Sequence, residues 1–221
     1  KEASRCVDQG FTGIKVKVGK EQRSEDLARV EAVRKAIGDE VKLMVDANLC
    51  WTAAESIARC KLFEDLDLFW VEEPIEADDV LGHEKLSEHT SIPIAVGENL
   101  FNRHAFKEYL ARRAASIMQP DVGRVGITEW LRIADLAHSF NSSVSPHLMM
   151  ELHVHLVCAV PNALFVEYVP LLDRFVQHPL RIEEGYAIPS EQPGHGIVFD
   201  EKKIGPYCLE KSSWKWNKSR L

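Results

Sequence analysis

Short apolar runs alternate along the chain with longer segments of helical period. Runs such as LMVDA, LFWVEEP, PIAVGE and SIMQPD have the length and composition of buried β-strands. The segments between them carry apolar stripes that lie on one helix face, namely Leu27, Val30, Val33 and Ile37, and Trp130, Ile133, Ala134 and Ala137. Thr52 and Glu55 have the spacing of a capping box, which predicts a helix start after the second strand. The pattern predicts an α/β fold.

A residue capable of acid-base or metal chemistry stands at or just after the end of each predicted strand. These residues are separated by 20 to 29 positions, and a strand, a helix and two loops need roughly 25 to 30 residues. The spacing therefore corresponds to one βα unit. In a (β/α)₈ barrel the C-terminal strand ends meet on one face, so these residues are expected to share one cavity. The series is Lys17, Asp46, Glu72, Glu98, Asp121, His147 and Glu167.

We predict seven strands, near residues 13–18, 43–47, 68–72, 93–97, 115–119, 142–145 and 163–167. A closed barrel has eight strands, and the helix-like segment from Glu2 to Gln9 stands directly before the first of the seven. The expectation is a partial barrel over residues 1–170 that contains strands two to eight and lacks the first. Over residues 171–221, prolines and glycines interrupt short segments without helical period, which predicts an irregular C-terminal extension.

Composition narrows the class of protein. The chain has 221 residues, of which 45% are hydrophobic and 28% charged, as in ordinary soluble globular proteins. Its formal net charge of −7 argues against nucleic-acid binding, and the basic stretch from Lys211 to Arg220 is interpreted as a solvated terminus. No apolar stretch reaches the roughly 20 residues of a membrane span, and no signal peptide is recognised. Five cysteines without a C-x-x-C pair indicate neither a zinc site nor a disulfide framework, so we expect a cytoplasmic protein.

Asp46, Glu72 and Glu98 are expected to bind a divalent cation. They end three successive strands at intervals of 26 residues, and neighbouring carboxylates repel one another unless a cation neutralises them. Oxygen ligands of this kind favour Mg²⁺. Each acid taken singly is better explained as a solvated loop residue, but the common phase of all three favours the metal site. Glu73 should point away from Glu72 and support the site from behind.

Lys15 and Lys17 stand two residues apart, so on a strand both project to the same face, toward the barrel interior. Like charges and partial burial lower the pKa of a lysine, as a general base working near neutral pH requires. The simpler explanation is a solvated edge strand with alternating lysines. The carboxylate series makes that explanation the weaker one.

Asp121 and His147 follow consecutive strands. A carboxylate beside an imidazole fixes its tautomer and raises its basicity, which gives a second acid-base group across the cavity from Lys17. His153 and His155 are assigned to a helix behind the site. The chain has neither the G-x-S-x-G sequence of a serine hydrolase nor a G-x-x-x-x-G-K phosphate loop. The other histidines are interpreted as surface residues: His83, His89, His104, His138, His178 and His195.

Seven short motifs occur in order along the chain: Lys15-Val16-Lys17, Asp46-Ala47-Asn48, Val71-Glu72-Glu73-Pro74, Gly97-Glu98-Asn99, Pro120-Asp121, Ser145-Pro146-His147 and Glu167. Together they resemble the mandelate racemase subgroup of the enolase superfamily, specifically its C-terminal barrel domain. The resemblance implies a Mg²⁺-assisted enzyme that removes the proton α to a carboxylate, with a lysine or histidine base. Asp46, Glu72 and Glu98 would be the metal ligands.

The catalytic and substrate-binding roles that the resemblance implies fall on residues at the strand ends. They are Lys17 as the base, Lys15 as the group that tunes it and touches the substrate carboxylate, Asp121 with His147 as the second acid-base pair, Glu167 as a hydrogen-bond donor to the enolate, and Asn48 as a contact to a substrate hydroxyl or the surroundings of the metal. Family members also carry an N-terminal capping domain that selects the substrate, and the C-terminal extension would pack on it. Neither this domain nor the first barrel strand is expected in the chain.

Three functions stay open at this point. The leading hypothesis is an acid-sugar dehydratase that acts on a small-molecule carboxylate. A 2-hydroxy-acid racemase or epimerase would use Lys17 and His147 as opposed bases. A barrel fragment without catalytic activity is the third possibility. A homo-oligomer is expected in each case, with no nucleic-acid or membrane partner.

Overall fold

Six parallel strands form one sheet in sequential order, as the computed structural model of the chain shows over the residues it describes, 1–208. The stretch from Lys211 to Arg220 lies outside the described residues. The strands are β1 (Gly13–Lys17), β2 (Lys42–Asp46), β3 (Leu68–Glu72), β4 (Ile94–Val96), β5 (Ile117–Met118) and β6 (Ser143–Val144). The first six predicted strands are therefore confirmed to within two residues at each end.

A helix precedes β1, another follows each strand of the sheet, and these helices cover its outer face. They are α1 (Glu2–Asp8), α2 (Arg23–Ile37), α3 (Ala53–Phe63), α4 (Val80–Ser87), α5 (Arg103–Arg112), α6 (Val122–Ser139) and α7 (Met150–Ala159). The predicted cap of α3 is confirmed, because the Thr52 side chain accepts a hydrogen bond from the backbone N–H of Glu55. Within residues 1–208, no helix has the length and hydropathy needed to cross a membrane.

Two hydrophobic clusters lie on opposite faces of the sheet. The larger one fills the space between strands and helices and contains the predicted stripe residues Val30 and Trp130, both fully buried. The smaller one lies on the inner face and consists of Met44, Trp70, Ala95 and Ile117, with Phe69 and Phe165 packed against it. Side chains thus fill the concave side of the sheet, as in a (β/α) barrel. The α/β barrel architecture is confirmed.

The sheet curves far enough that the segment after its last strand reaches its first strand. Lys15 on β1 and Glu167, which follows β6 by more than twenty residues, approach to 2.6 Å between Nζ and Oε1. The regular strand predicted at 163–167 is not formed. The segment pairs with β6 through one bridge, between Val144 and Ala163. Among the described residues, β1 pairs only with β2.

The C-terminal segment contains a small hairpin and a short helix. The hairpin joins β7 (Arg181–Glu183) to β8 (Tyr186–Ile188), and α8 (Glu201–Ile204) follows. The hairpin turn packs against the end of α1, where a Cβ added at Gly10 would lie 2.6 Å from the carbonyl carbon of Glu184. Gly10 has a φ of +90°, so this close backbone approach needs glycine on both counts. The domain boundary at residue 170, and packing of the extension on a capping domain, stay predictions.

The prediction that His83 lies at the surface is wrong. Its imidazole is fully buried on α4, where Nδ1 lies 2.9 Å from the carbonyl oxygen of Asp79 and 3.3 Å from the hydroxyl of Tyr109. Burial lowers its pKa. The surface assignment is right for the five others: His89, His104, His138, His178 and His195 are exposed.

Candidate active site

Three carboxylates meet at the C-terminal edge of the sheet. Asp46 and Glu72 are the last residues of β2 and β3, and Glu98 follows β4 by two residues. One oxygen from each lies within 4.8 Å of the others. Asp46 and Glu72 are fully buried, and the Glu98 side chain is 14% exposed. Parallel neighbouring strands bring the three together, because residues at the same end of such strands share one edge of the sheet.

Burial and mutual repulsion make this cluster electrostatically costly. Burial raises the pKa of Glu72 to about 7; the charge of Lys15 opposes that rise and the charge of Asp46 adds to it. Burial and Asp46 also raise the pKa of Glu98, while His147 opposes the rise. A cation bound between the three groups would remove this cost, and buried carboxylate oxygens are suitable ligands for Mg²⁺. The residues present therefore fit a magnesium ion.

Two residues that sequence reasoning missed hold Glu72 in position. The indole Nε1 of Trp70 donates to Glu72 Oε2 at 3.0 Å, and the amide of Gln119 donates to the same oxygen at 2.8 Å. Trp70 stands two residues before Glu72 on β3, so the strand parity could have revealed this contact. The Gln119 contact spans 47 residues of sequence, and only its position just before Pro120-Asp121 pointed to the site.

The predicted supporting role of Glu73 agrees with its contacts. Its carboxylate is buried and accepts from the amide of Asn99 at 2.9 and 3.0 Å. Burial, together with the charge of Glu98, raises its pKa to about 7. The backbone at Gly97, beside Glu98, is held against the next strand end, where a Cβ would lie 2.7 Å from the Gln119 nitrogen. Glycine is therefore required next to the third carboxylate.

Both lysines of β1 project into the same cavity. Lys15 donates to Glu72, its Nζ lies 2.6 Å from Glu167 Oε1, and it approaches Asp46 Oδ2 to 3.8 Å. Lys17 donates to Asp46, and its side chain is 61% exposed. These contacts confirm that both lysine side chains face the interior of the barrel.

The predicted lowering of the lysine pKa is wrong for Lys15. Burial lowers its pKa, but the charges and hydrogen bonds of Glu72 and Glu167 outweigh burial, so the net effect is a raised pKa. The motif revealed the like charge two residues away. It did not reveal the opposite charges on strands distant in sequence, and these are the closer neighbours.

Glu167 and Asn48 complete the rim of the cavity. Glu167 Oε2 accepts the backbone N–H of Leu148 at 2.7 Å. Burial raises the pKa of Glu167, but Lys15 outweighs it and the net pKa is lowered, which favours the ionised, accepting form. The donor role expected for Glu167 stays a prediction, and it requires a proton that this arrangement disfavours. Asn48 is exposed in the loop after β2, and its backbone N–H donates to Asp46 Oδ1 at 2.9 Å.

Asp121 and His147 form a hydrogen-bonded pair. His147 Nδ1 lies 3.0 Å from Asp121 Oδ2, and the other Asp121 oxygen accepts from the backbone of Gly123 at 2.7 Å. This contact directs Nε2 of the imidazole toward the carboxylate cluster, where it lies 3.4 Å from Glu98 Oε2. Burial lowers the pKa of His147, but Asp121 and Glu98 outweigh it and raise the pKa overall. The pair can therefore carry a proton at the edge of the carboxylate cluster.

The chain is similar to known proteins. The family described as "Enolase C-terminal domain-like" matches residues 1–203. The chain belongs to this family. It is the C-terminal barrel of the mandelate racemase/muconate lactonizing enzyme type within the enolase superfamily, as the seven motifs predicted.

Relatives of the chain include sugar-acid dehydratases. The L-talarate/galactarate dehydratase of Salmonella typhimurium is 37% identical over 196 residues, which cover 88% of this chain and 49% of that protein. The 3,6-anhydro-alpha-L-galactonate cycloisomerase of Streptomyces coelicolor is 33% identical over 206 residues, or 92% of this chain and 57% of that protein. The chain therefore spans about half the length of the curated relatives it matches.

The fold of the chain is also similar to that of a solved structure. The L-talarate dehydratase from Polaromonas sp. JS666, complexed with Mg and L-glucarate, superposes with a TM-score of 0.86 and 39% identity. The match covers 91% of this chain and 57% of that one. The relative was thus solved with a magnesium ion and an acid sugar.

Proposed function

We propose that this chain forms the catalytic barrel of a Mg²⁺-dependent acid-sugar dehydratase. One observation carries the proposal: two different acid-base groups contact the same carboxylate cluster from separate strand ends. Lys17 contacts Asp46, and His147 Nε2 lies 3.4 Å from Glu98. Between them, Asp46, Glu72 and Glu98 offer oxygens within 4.8 Å of one another.

Asp46, Glu72 and Glu98 would hold the magnesium ion. When bound, the ion supplies positive charge that stabilises the negative charge developing on the substrate carboxylate as the α-proton leaves. Lys15 is close enough to Glu72 and Glu167 to bring a further positive charge to the same region. An α-proton next to a carboxylate is only weakly acidic, so both contributions are needed.

Lys17 would remove the α-proton. Its neutral amine takes the proton, and the electrons of the C–H bond pass into the carboxylate to give an ene-diolate. The 61% exposure of its side chain leaves it accessible to a substrate entering from the cavity mouth. Asn48, exposed in the neighbouring loop, would contact a substrate hydroxyl.

His147 would complete the dehydration. Protonated at Nε2, it gives that proton to the β-hydroxyl, the C–O bond breaks, and water leaves. The ene-diolate electrons form the new double bond, and the resulting enol converts to a 2-keto-3-deoxy acid. The hydrogen bond from Nδ1 to Asp121 at 3.0 Å keeps the imidazole oriented for this transfer.

A product assay tests the proposal. The full-length gene product is incubated with Mg²⁺ and with galactarate, talarate, gluconate-type or mandelate-type acids, and keto acid is read with semicarbazide. We expect keto acid from at least one sugar acid and none after removal of Mg²⁺ by a chelator. Failure of every sugar acid to give keto acid would refute the dehydratase assignment.

Matched variants separate the two acid-base roles. Lys17→Ala should lower turnover by about 10²- to 10⁴-fold, as loss of a general base does, whereas Lys20→Ala, at an exposed lysine three residues away, should not. His147→Asn should lower keto-acid formation similarly, with exposed His138→Asn as its control. If both active-site variants leave solvent deuterium exchange at the substrate α-carbon and keto-acid formation intact, the assignments fail.

A racemase or epimerase is the second candidate. The same observation favours it, since Lys17 and His147 approach from different strands and could act as opposed bases. Such an enzyme would invert a 2-hydroxy acid without net change of composition. Inversion of mandelate-like acids, with no keto acid from any sugar acid, would favour this candidate. Neither reaction with any acid would favour a barrel without catalytic activity.

A further inference from the structure

We propose that His153 on α7 is a positioning residue that fixes the geometry of the Asp121–His147 pair. The imidazole contacts the backbone next to each member of the pair: Nε2 lies 3.0 Å from the N–H nitrogen of Val122, and Nδ1 lies 2.7 Å from the carbonyl oxygen of Leu148. One ring thus joins the loop after β5 to the loop after β6. The inference rests on the proposed function, since it concerns the same acid-base pair.

Only one form of the ring satisfies both contacts. The Val122 N–H can only donate, so Nε2 must accept and carry no proton. Nδ1 must then carry the proton and donate it to the Leu148 carbonyl. A doubly protonated ring would lose the Val122 bond. The ring is fully buried, and burial lowers its pKa to about 4, so the neutral form is present at neutral pH.

The loop that carries His147 needs such restraint. Leu148 and Met149 have φ values of +53° and +39°, in the left-handed region that residues other than glycine rarely adopt. Backbone strain of this kind persists only where the surroundings enforce it. Both polar groups of Leu148 are held, its N–H by Glu167 at 2.7 Å and its carbonyl by His153.

Loss of His153 would act on the pair more than on the rest of the site. The carboxylate cluster and both lysines are carried by β1 to β4 and the residues just after them, whereas the two hydrogen bonds of the His153 ring go to Val122, after β5, and to Leu148, after β6. Without the ring, the loops would relax separately and the 3.0 Å contact between Asp121 and His147 would lose its alignment. Substrate and metal binding would change little.

The competing explanation is that His153 is an ordinary core residue, since its ring packs 6.0 Å from that of Trp130. His155 offers a matched control for that explanation. It lies on the same helix, and its Nε2 is buried without a hydrogen-bond partner among the described residues. Substitution of either histidine disturbs α7, but only His153 links the two loops.

The experiment compares His153→Leu, His153→Asn and His153→Gln with His155→Leu in the full-length gene product. We expect His153→Leu to lower kcat about 10- to 100-fold, as loss of an orienting contact does, with KM and Mg²⁺ affinity changed less than about threefold. Asn can keep the donor to Leu148 and Gln the acceptor for Val122, so both should lose less. His155→Leu should keep the wild-type kcat.

A second readout needs no substrate. In the ¹⁵N-labelled protein, the Nδ1–H of His147 bound to Asp121 should give a downfield proton signal, assigned by its loss in His147→Asn. We expect the signal to persist in His155→Leu and to disappear in His153→Leu. An unchanged signal in His153→Leu would overturn the inference, even if the enzyme dehydrates no sugar acid. If His153→Leu does not fold, an unchanged signal in both His153→Asn and His153→Gln would overturn it, because each of these variants keeps only one of the two contacts. A wild-type protein that keeps the signal but converts no acid would refute the proposed function alone.

Discussion

At the scale of single residues, charge pairing across the cavity decides which groups hold protons. Lys15 is buried, which alone would lower its pKa, yet Glu72 and Glu167 raise it. Glu72 in turn keeps a pKa of about 7 although Lys15 opposes the rise. The site therefore carries carboxylates that are only partly neutralised by its own lysines, and this remaining charge is what a divalent cation would bind.

Gln119 should contribute to Mg²⁺ affinity although it is not a ligand. Its amide donates to Glu72 Oε2 at 2.8 Å and helps to keep that carboxylate ionised and oriented. We expect Gln119→Leu to weaken Mg²⁺ binding by about 10- to 100-fold, as loss of a contact behind a metal ligand does. Isothermal titration calorimetry on the full-length gene product measures this.

Two variants calibrate that measurement. Glu72→Gln removes a proposed ligand and should abolish binding in the same assay, while Gln192→Leu, at an exposed position of the C-terminal segment, should leave it unchanged. Wild-type affinity in Gln119→Leu would show that the hydrogen bond has no part in the metal site. Wild-type affinity in Glu72→Gln would contradict the ligand set itself.

The sequence predicts which residues form the candidate site, but it predicts only some of the side chains that they contact. Asp46, Glu72 and Glu98 could be predicted to meet because the strand period is local information. The burial of His83 and the contact from Gln119 to Glu72 could not, because both depend on side chains that are distant in sequence. The error in the pKa of Lys15 has the same origin, since its nearest charges lie 57 and 152 residues away.

At the scale of elements, α2 and α3 together hold the loop that follows the two lysines. Asp26 on α2 accepts from the backbone of Gly19 and Lys20 at 2.8 Å and from Arg59 on α3 at 2.7 Å. Arg59 also donates to the carbonyl of Lys20 at 2.8 Å, and its guanidinium lies 5.0 Å from the centre of the Trp51 ring. A buried ion pair thus connects the loops after β1 and β2.

Removing one partner of this pair should be costly. The Arg59 side chain is 4% exposed and Asp26 is fully buried, so Arg59→Met leaves the buried carboxylate with only the more exposed Arg29, at 3.2 Å, as a cationic partner. We expect a loss of about 3 kcal/mol in the free energy of unfolding, measured by urea denaturation. The more exposed pair of Arg103 and Glu129, whose side chains are 41% and 20% exposed, is the control, and Arg103→Met should cost less than about 1 kcal/mol. Equal losses in the two variants would contradict the role given to burial.

The elements themselves were largely predictable. The six strands and the helices that follow them have clear periods, so their existence followed from the order of apolar and polar residues. The segment at 163–167 is not a regular strand, because among the described residues its strand pairing is limited to one bridge, between Ala163 and Val144 of β6. Pairing depends on the neighbouring strand as well as on the segment's own composition, and the sequence pattern of the segment contains only the latter.

At the scale of the whole molecule, two histidine side chains among the described residues are buried in their neutral form. His83 lies between α4 and α5, and His153 lies between α7 and the loops of the site; both are fully buried. Burial lowers the pKa of each, in His153 from 6.5 to about 4. In the unfolded chain both rings are in water and keep ordinary pKa values. At mildly acidic pH, the rings of His83 and His153 therefore bind protons less readily in the folded chain than in the unfolded chain.

Stability should consequently fall as the pH falls. A group whose pKa is lower in the folded state binds more protons in the unfolded state. For a histidine, its contribution to the free energy of unfolding is therefore fully present above about pH 6.5 and is lost as the pH falls toward the pKa of the folded state. For His153 the window runs from 6.5 to about 4, and the full loss is about 3 kcal/mol. Because carboxylates also titrate in this range, the histidine contribution is the difference between wild type and a variant that lacks the ring.

Urea denaturation of the full-length gene product at pH 7.5, 6, 5 and 4.5 measures that difference. We expect His83→Leu and His153→Gln each to be destabilised relative to wild type at pH 7.5 and to approach or pass it as the pH falls, because the variants have no buried imidazole to protonate. His138→Leu, at an exposed position, should follow the wild-type curve throughout. If the His83 and His153 variants instead run parallel to wild type across the whole range, the two rings titrate alike in the folded and unfolded chains, and the acid sensitivity of the fold must come from its carboxylates alone.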